Sequence, residues 1–333
     1  MSTPLGAIAR PLALVDHRIA LLTALPVILA VLAVGVASAD RPSGVVRLSA
    51  DEAEASGSTI RLLRQPVGGS TLVQVEPPAA GMSLLSVSPT GSKAALADQV
   101  GELSGTLTVA AIDGAQLRIP LPGLLAATFA GDASWLAVID GRGALWRIDA
   151  DSGGAEALAD GPFIGSPVVT DDGSLIVLAV PSVEAPYRSS LIRLEPATGS
   201  ATPLSDQELV YGAFPLDDGD LAIVAHEPDG TLVQRLTSAG EQLLANLGPG
   251  AVNVAVAGNG RIAFERDGEI FVLDAPGSPP RSLGTGGRPC FGLDGSSLLV
   301  RRGTQRLALG VGGSVLVAAD ELAAFAGAVG CLP

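Results

Sequence analysis

Six stretches of the chain carry the same device, and its period leaves few folds open. Each is an apolar run, a turn rich in Asp, Gly or Asn, and a second apolar run: SVSPTGSKAAL, TFAGDASWLAV, VVTDDGSLIVL, FPLDDGDLAIV, AVAGNGRIAFE and FGLDGSSLLVR. The turns align at Gly91, Ala133, Gly173, Gly219, Gly260 and Gly295, with spacings of 42, 40, 46, 41 and 35 residues. Asp-Gly and Asn-Gly between apolar runs mark hairpins, because such turns need positive φ. A second hairpin follows, as in ALWRIDADSGGAEAL, SLIRLEPATGSATPL and EIFVLDAPGSPPRSL, so one period holds four short strands, here lettered A to D. Four strands in roughly 40 residues is the period of a β-propeller blade. A helix-pair solenoid is excluded by runs this short, and 42 Gly and 24 Pro resist helix throughout.

The turn strings, with the pattern that runs from Asp149 through Gly153 and Gly154, resemble the repeats of TolB-like (WD40-like) β-propellers over nearly all of residues 44–331. The Gly-His and Trp-Asp signatures of WD40 blades are absent, and Ala133 stands where one turn would carry Gly. The resemblance implies the fold and an interaction role in the cell envelope.

The chain ends complete the ring. Residues 44–76 read as three strands, VVRLS, TIRLLRQP and STLVQVEP, in the order B, C, D. The missing strand A is supplied by LAAFAGAVG, residues 322–330, which is like LAATFAGD at 125–132. The expectation is an all-β, seven-bladed propeller over 44–331, with residues 322–330 paired beside 45–49; six blades is the alternative. Closure removes the open sheet edge that would pair with other chains, so a monomer is expected. Strand alternation puts the A–B and C–D turns on one rim, with the B–C and D–A connections on the other. Both chain ends are expected at the A–B rim.

Ahead of the repeats, Ile19–Ala39 is an uncharged run of 21 residues between Arg18 and Asp40. As a helix it spans roughly 31 Å, close to the hydrocarbon thickness of a bilayer. Arg10 and Arg18 precede it, so residues 1–18 are read as cytoplasmic and the rest as extracytoplasmic. Ala37-Ser38-Ala39 is a small-residue cleavage site, placing a cut between Ala39 and Asp40; a membrane anchor over 19–39 and a cleaved signal peptide both fit. The apolar stretch Leu307–Ala319 is too short and too rich in Gly to span a membrane.

Charge and composition exclude some partners. A net charge of −14 opposes a phosphate-backbone partner, and 3% aromatic residues do not make a stacking platform for nucleic acid. The A–B rim carries Asp132, Asp171, Asp172, Asp217, Asp218, Asp220 and Asp294, with Asp113, Asp149, Asp151 and Asp274 from C–D turns. Asp favours turns for its own hydrogen bonding; a cation-binding or steering ring is the functional alternative. Asp149, Asp151 and Asp160 fit positions 1, 3 and 12 of an EF-hand-like loop that lacks its bidentate Glu, a weak calcium candidate. Cys290 and Cys331 are the two cysteines. With Cys290 at the start of one strand A and Cys331 past the end of the next, they fall roughly 15–20 Å apart, so a disulfide requires the C-terminal tail to fold back.

For binding, the B–C connections Ala50–Gly57, Asp98–Gly105 and Pro181–Ser189 are long where the others are read as four or five residues. They offer Asp98, Glu102, Glu184, Tyr187 and Arg188 as candidate contacts. His226, near the end of a strand B, is read as a structural surface residue, and Asn253 is the polar group that stands out among the strand-A residues facing the channel. No G-x-S-x-G elbow or H-E-x-x-H zinc motif occurs, and no catalytic residue, metal or cofactor is assigned. The reading is an exported or anchored propeller that binds an envelope protein or peptide. The alternative is a channel-site enzyme of the metal-dependent lactonase or lyase type, for which the channel looks under-equipped. A reporter fused after Pro333 is expected to be active only outside the cytoplasm, and the mature N-terminus read by mass spectrometry to be Met1 or Asp40; activity confined to the cytoplasm refutes export.

Overall fold

The computed structural model describes residues 60–76, 81–98, 100, 104–180, 189–205, 209–319 and 322–328. The segments read as cytoplasmic and membrane-spanning, 1–39, lie outside them. No helix among the described residues is long and apolar enough to cross a membrane.

Why these residues form strands is visible in each inner run: short, β-branched, aromatic or Ala-rich, and closed by a turn within five to seven residues. The chain begins with β1 (Arg61–Val67) and β2 (Ser70–Glu76). The first complete blade is β3 (Ser83–Val87), β4 (Lys93–Ala97), β5 (Gly105–Ala111) and β6 (Gln116–Leu121). The second is β7 (Ala126–Phe129), β8 (Trp135–Ile139), β9 (Leu145–Asp149) and β10 (Ala155–Ala159). The third is β11 (Phe163–Val169), β12 (Leu175–Ala179), β13 (Ser190–Glu195) and β14 (Ser200–Pro203). The fourth is β15 (Val210–Pro215), β16 (Leu221–Glu227), β17 (Gly230–Thr237) and β18 (Gly240–Asn246). The fifth is β19 (Val252–Val256), β20 (Ile262–Arg266), β21 (Glu269–Leu273) and β22 (Arg281–Thr285). The sixth is β23 (Gly287–Phe291), β24 (Ser297–Arg302), β25 (Gln305–Gly310) and β26 (Val315–Ala319), which absorb the apolar run at 307–319. Last comes β27 (Ala323–Phe325).

Six four-stranded antiparallel sheets and one of three strands, β1-β2-β27, make seven blades. The first strands of successive blades face one another around the centre: β3 meets β7, then β11, β15, β19 and β23, and β27 returns to β3. Burial falls from inside to outside. All four residues of β7 are buried, whereas β14 at the far edge of its blade is exposed along its length.

The six aligned turns all form. Gly91, Ala133, Gly173, Gly219, Gly260 and Gly295 each adopt positive φ, between 59° and 89°. Each donates its N–H to the carbonyl three residues back, at 2.8–3.0 Å. Ala133 does so at φ 59° despite its methyl group, which packs in the core between the first two blades. Three B–C connections are shorter than expected, at two residues: Pro228–Asp229, Asp267–Gly268 and Gly303–Thr304. Asp267 and Gly268, at φ 52° and 76°, are a mirror-image turn that matches the strand twist.

Closure joins both ends in one blade, but in a different order from the one expected. β27 pairs with β2, through Leu72↔Phe325, Val73↔Ala324 and Gln74↔Ala323, and β1 lies on the far side of β2. The strand beside the C-terminal one is thus 70–76, not 45–49. Residues 45–49 lie outside the described residues. Three strands of alternating pattern fit any slot of a blade; burial decided their order, because β2 has a core face and β1 is exposed at five of seven positions. The first described strand therefore enters from the B–C rim, while β27 runs out at the A–B rim.

The core is a circle of clusters, each shared by neighbouring blades. Val67, Leu72, Cys290, Leu299 and Phe325 join the sixth blade to the seventh, and Val73, Val75, Leu84, Leu96 and Ala324 join the seventh to the first. Polar groups reinforce the first of these seams. Asp294 accepts from Gly69 N at 3.0 Å and from Ser70 Oγ at 2.7 Å, and Ser297 Oγ donates to the Val67 carbonyl at 3.0 Å. A Cβ on Gly69 would stand 2.3 Å from Asp294 Oδ2, so only glycine lets the two turns meet this closely. Phe325 is fully buried in this seam. Phe325→Ala is expected to lower unfolding free energy by about 3–5 kcal/mol, measured by urea denaturation; a loss under about 1 kcal/mol would show that β27 does not hold the ring.

Candidate functional site

The A strands leave two mouths on the central channel, and local chemistry makes them different. On the A–B rim the turn itself consumes the carboxylates. In five of six turns the third residue is Asp or Asn, and its side-chain oxygen accepts the N–H two residues on. These are Asp132–Ser134 at 3.0 Å, Asp172–Ser174 at 3.1 Å, Asp218–Asp220 at 3.2 Å, Asn259–Arg261 at 3.2 Å and Asp294–Ser296 at 3.1 Å. Hydrogen bonds to the charged form favour it. The Ser134 N–H and hydroxyl hold Asp132 below the ordinary carboxylate range, and the Thr170 hydroxyl, then Ser174 and Arg193, hold Asp172 well below it. At Asp294 burial works against ionisation, but bonds from Ser296, Ser70 and Gly69 more than offset it.

Cations complete the neutralisation of this rim. Arg193 pairs with Asp172 and, at 3.0 Å, with Glu195. Arg235 pairs with Asp218 and, at 2.6 Å, with Asp220. Lys93 reaches Asp151 at 2.6 Å. A cavity of about 450 Å³ opens here, lined in part by Asp171, Asp172, Asp220 and Arg193. Most of the acidic residues read from the sequence are therefore present on this rim as turn formers and ion-pair members, while the carboxylates of Asp171 and Asp217 make neither contact among the described residues. No group of three or more His, Cys, Asp or Glu residues that could hold a metal occurs among the described residues.

The calcium candidate does not assemble. Asp149 and Asp151 sit in the C–D turn of the second blade, where Asp149 accepts from Ser152 N at 2.7 Å and Asp151 N at 3.0 Å. The Ser152 N–H and hydroxyl hold the Asp149 carboxyl below its ordinary range. Asp160 follows β10 on the opposite rim, one strand length away. Cys290 is the fourth residue of β23, not the first, and packs beside Phe325 of β27. It is buried, and none of the described cysteines is a free thiol. Cys331 lies outside the described residues, as do Glu102, Glu184, Tyr187 and Arg188. Asp98 is described, and its carboxylate accepts from Thr106 N at 2.7 Å across the root of its loop.

On the D–A rim the inner strands are distorted. Register shifts interrupt the pairing of β11, β15, β19 and β23 near their starts. Such bulges re-aim side chains and end pairing early. They surround a mouth of about 600 Å³ lined by Tyr211, His226, Asn253 and Arg288, with Leu178 and Val254 among the apolar residues. Tyr211 and His226 stack with ring centroids 4.5 Å apart, and His226 Nδ1 lies 3.1 Å from Thr231 Oγ1. Asn253 Nδ2 donates to Glu265 at 2.8 Å. The sequence pointed to Asn253, read His226 as a surface residue, and missed Tyr211 and Arg288. Neither lies in a motif; the bulges that bring them to the mouth depend on neighbouring strands.

Comparison with known proteins supports the fold. No family model matches the chain, and no curated protein matches it in sequence. Among solved structures, TolB from Acinetobacter baumannii aligns at a TM-score of 0.54 with 14% identity, covering 88% of each chain. An oligogalacturonate lyase in complex with manganese aligns at 0.56 with 13% identity, covering 79% of this chain and 84% of that one. The tricorn protease aligns at 0.58 with 9% identity, over 81% of this chain and 35% of its own. Together with the seven blades, these likenesses fit a TolB-like propeller; at such identities they carry the fold and no activity.

The Tyr211 hydroxyl is enclosed without a completed hydrogen bond. Burial pushes its pKa up to about 12, with Thr231 acting weakly in the other direction. Thr231 Oγ1 already donates to the Ala251 carbonyl at 2.9 Å. Between the ordinary value of 10.0 and about 12, the unfolded chain has lost the phenolic proton and the folded one keeps it. This contribution to stability is thus complete below pH 10 and lost as pH rises through 12. Tyr211→Phe should flatten that decline and leave stability at pH 8 unchanged or up to about 1 kcal/mol higher. Urea midpoints at pH 8 and 11 check this; a marked loss at pH 8 would mean that the hydroxyl is bonded to Thr231.

Proposed function

We propose that the chain is an exported or membrane-anchored propeller of the cell envelope that acts as a protein- or peptide-interaction module. Its partner is taken on the rim that carries the B–C and D–A connections. The observation that carries this reading is the contrast between the mouths. The A–B mouth spends most of its charges on its own turns and ion pairs, whereas the D–A mouth is open, aromatic and held out of regular pairing by four bulges. A rigid scaffold with irregular backbone at one end is where binding residues are commonly placed. The uncharged run at 19–39 after Arg18 supports export, and the strand ends joined by the long connections, Ala97 to Gly105 and Ala179 to Ser190, lie on the same rim.

Two variants separate the rims. In the first, 181–189 is shortened to a four-residue turn, a change that costs little stability because closure entropy grows slowly with loop length. In the second, Asp171, Asp172, Asp217 and Asp218 are replaced by Asn. Each is used as bait against solubilised envelope beside the wild-type chain. The loop variant is expected to lose the wild-type capture pattern and the Asn variant to keep it. The reverse result assigns function to the acidic rim and overturns the reading.

A further inference from the structure

Two residues at the D–A mouth hold a backbone conformation that L side chains rarely adopt. Asn253 in β19 has φ 49° and Arg288 in β23 has φ 50°; at the matching bulge in β11 the residue is Gly165, at φ 71°. Asn tolerates this region, but Arg does not favour it, so the surrounding structure must hold it there. Glu265 of β20 does so for both. Its Oε2 accepts from Asn253 Nδ2 at 2.8 Å and from the Arg288 backbone N–H at 3.2 Å. A carboxylate is thus committed to fixing two adjacent bulges.

The result is a cation without a task inside the fold. The Arg288 side chain is exposed, lines the mouth, and has no ion-pair or hydrogen-bond partner among the described residues. Lys93, Arg193, Arg235, Arg261 and Arg281 are held in ion pairs and Arg266 and Arg302 on backbone carbonyls, whereas Arg61, Arg118 and Arg142 are unpaired among the described residues like Arg288 but do not line this mouth. In a chain of net charge −14, an unpaired guanidinium in a concave site is a local reversal of sign. The same mouth is lined by the stacked Tyr211 and His226 and by the apolar side chains of Leu178, Val252 and Val254. The site therefore offers a planar fork of donors, an amide and an apolar wall within about 600 Å³, a volume suited to a small group.

We propose that this mouth is a carboxylate subsite that takes the free C-terminal residue of a peptide. Arg288 and the amide of Asn253 receive the carboxylate, and the Tyr211–His226 face with its apolar neighbours receives the side chain. A guanidinium matches a carboxylate in plane and donor spacing. The nearby Glu265 carboxylate favours a monoanion over a phosphate-like dianion, because like charges in proximity repel. The choice of a peptide over a free organic acid rests on the interaction reading above.

The test uses calorimetry on the purified full-length chain. The probes are acetyl-Gly-Ser-Ala-Leu as the free acid, the same peptide as its C-terminal amide, and octanoate. The free acid should bind about tenfold more tightly than the amide, the scale of a charge-assisted hydrogen bond. Arg288→Asn, which keeps a residue tolerant of positive φ, should remove that difference. Equal binding of acid and amide by the wild type overturns the subsite without needing any variant, as does an unchanged preference in Arg288→Asn. Octanoate binding as tightly as the peptide acid overturns the peptide assignment in favour of a free acid. Silence of all three probes at millimolar concentration also overturns the subsite, yet leaves the rim reading to stand or fall on the capture experiment.

Discussion

The pairing of β2 with β27 is the contact on which the rest of the ring depends. Every other blade is built from one continuous stretch of chain and could form locally. The seventh joins residues about 250 positions apart, so its pairing bears the loop-closure entropy of the whole domain. Without it, β2 and β3 would lose their neighbours, and the seams of Phe325 with Cys290 and of Ala324 with Leu84 would open to water. The polar bridge from Asp294 to Gly69 and Ser70 belongs to the same event, since it forms only when the sixth and seventh blades meet.

Closure also explains why the mouths differ. With inner strands fixed side by side, each A–B turn is a local object whose geometry follows from four residues and an Asx or Gly. Its carboxylates satisfy their own backbone and are then paired by arginines from the C strands, Arg193 in β13 and Arg235 in β17. At the other end the chain arrives from the outermost strand of the preceding blade. The first residues of β11, β15, β19 and β23 bulge out of register there. Asn253 and Arg288 are held in this irregular region by a single carboxylate from β20.

The distribution of charge follows the same division. The acidic character of the chain is concentrated where turns need Asp, and much of it is neutralised in place. What reaches the D–A mouth is a stacked aromatic pair, an amide and a free guanidinium. A net-charge argument made on the whole chain therefore does not describe this mouth, where the Arg288 side chain is unpaired among the described residues.

Period, blade count and the six turn positions were legible in the amino-acid order, because a tight turn writes its requirement for positive φ into adjacent residues and a strand writes its faces at alternate ones. Gly91 through Gly295 adopt the conformation their spacing implies, and even Ala133 obeys the alignment against its own preference. The order of strands in the closing blade was not legible, since β1 and β2 share one alternating pattern and only burial against β27 and β3 tells the inner from the outer. Nor was the ring of mouth residues: Tyr211 and Arg288 look like ordinary strand positions until neighbouring strands impose a bulge. Local sequence determined the hairpins, because their energetics are settled within a few residues. Tertiary structure alone decided the closure and the mouth, because both arise from contacts between strands that are distant in the chain and are chosen by packing.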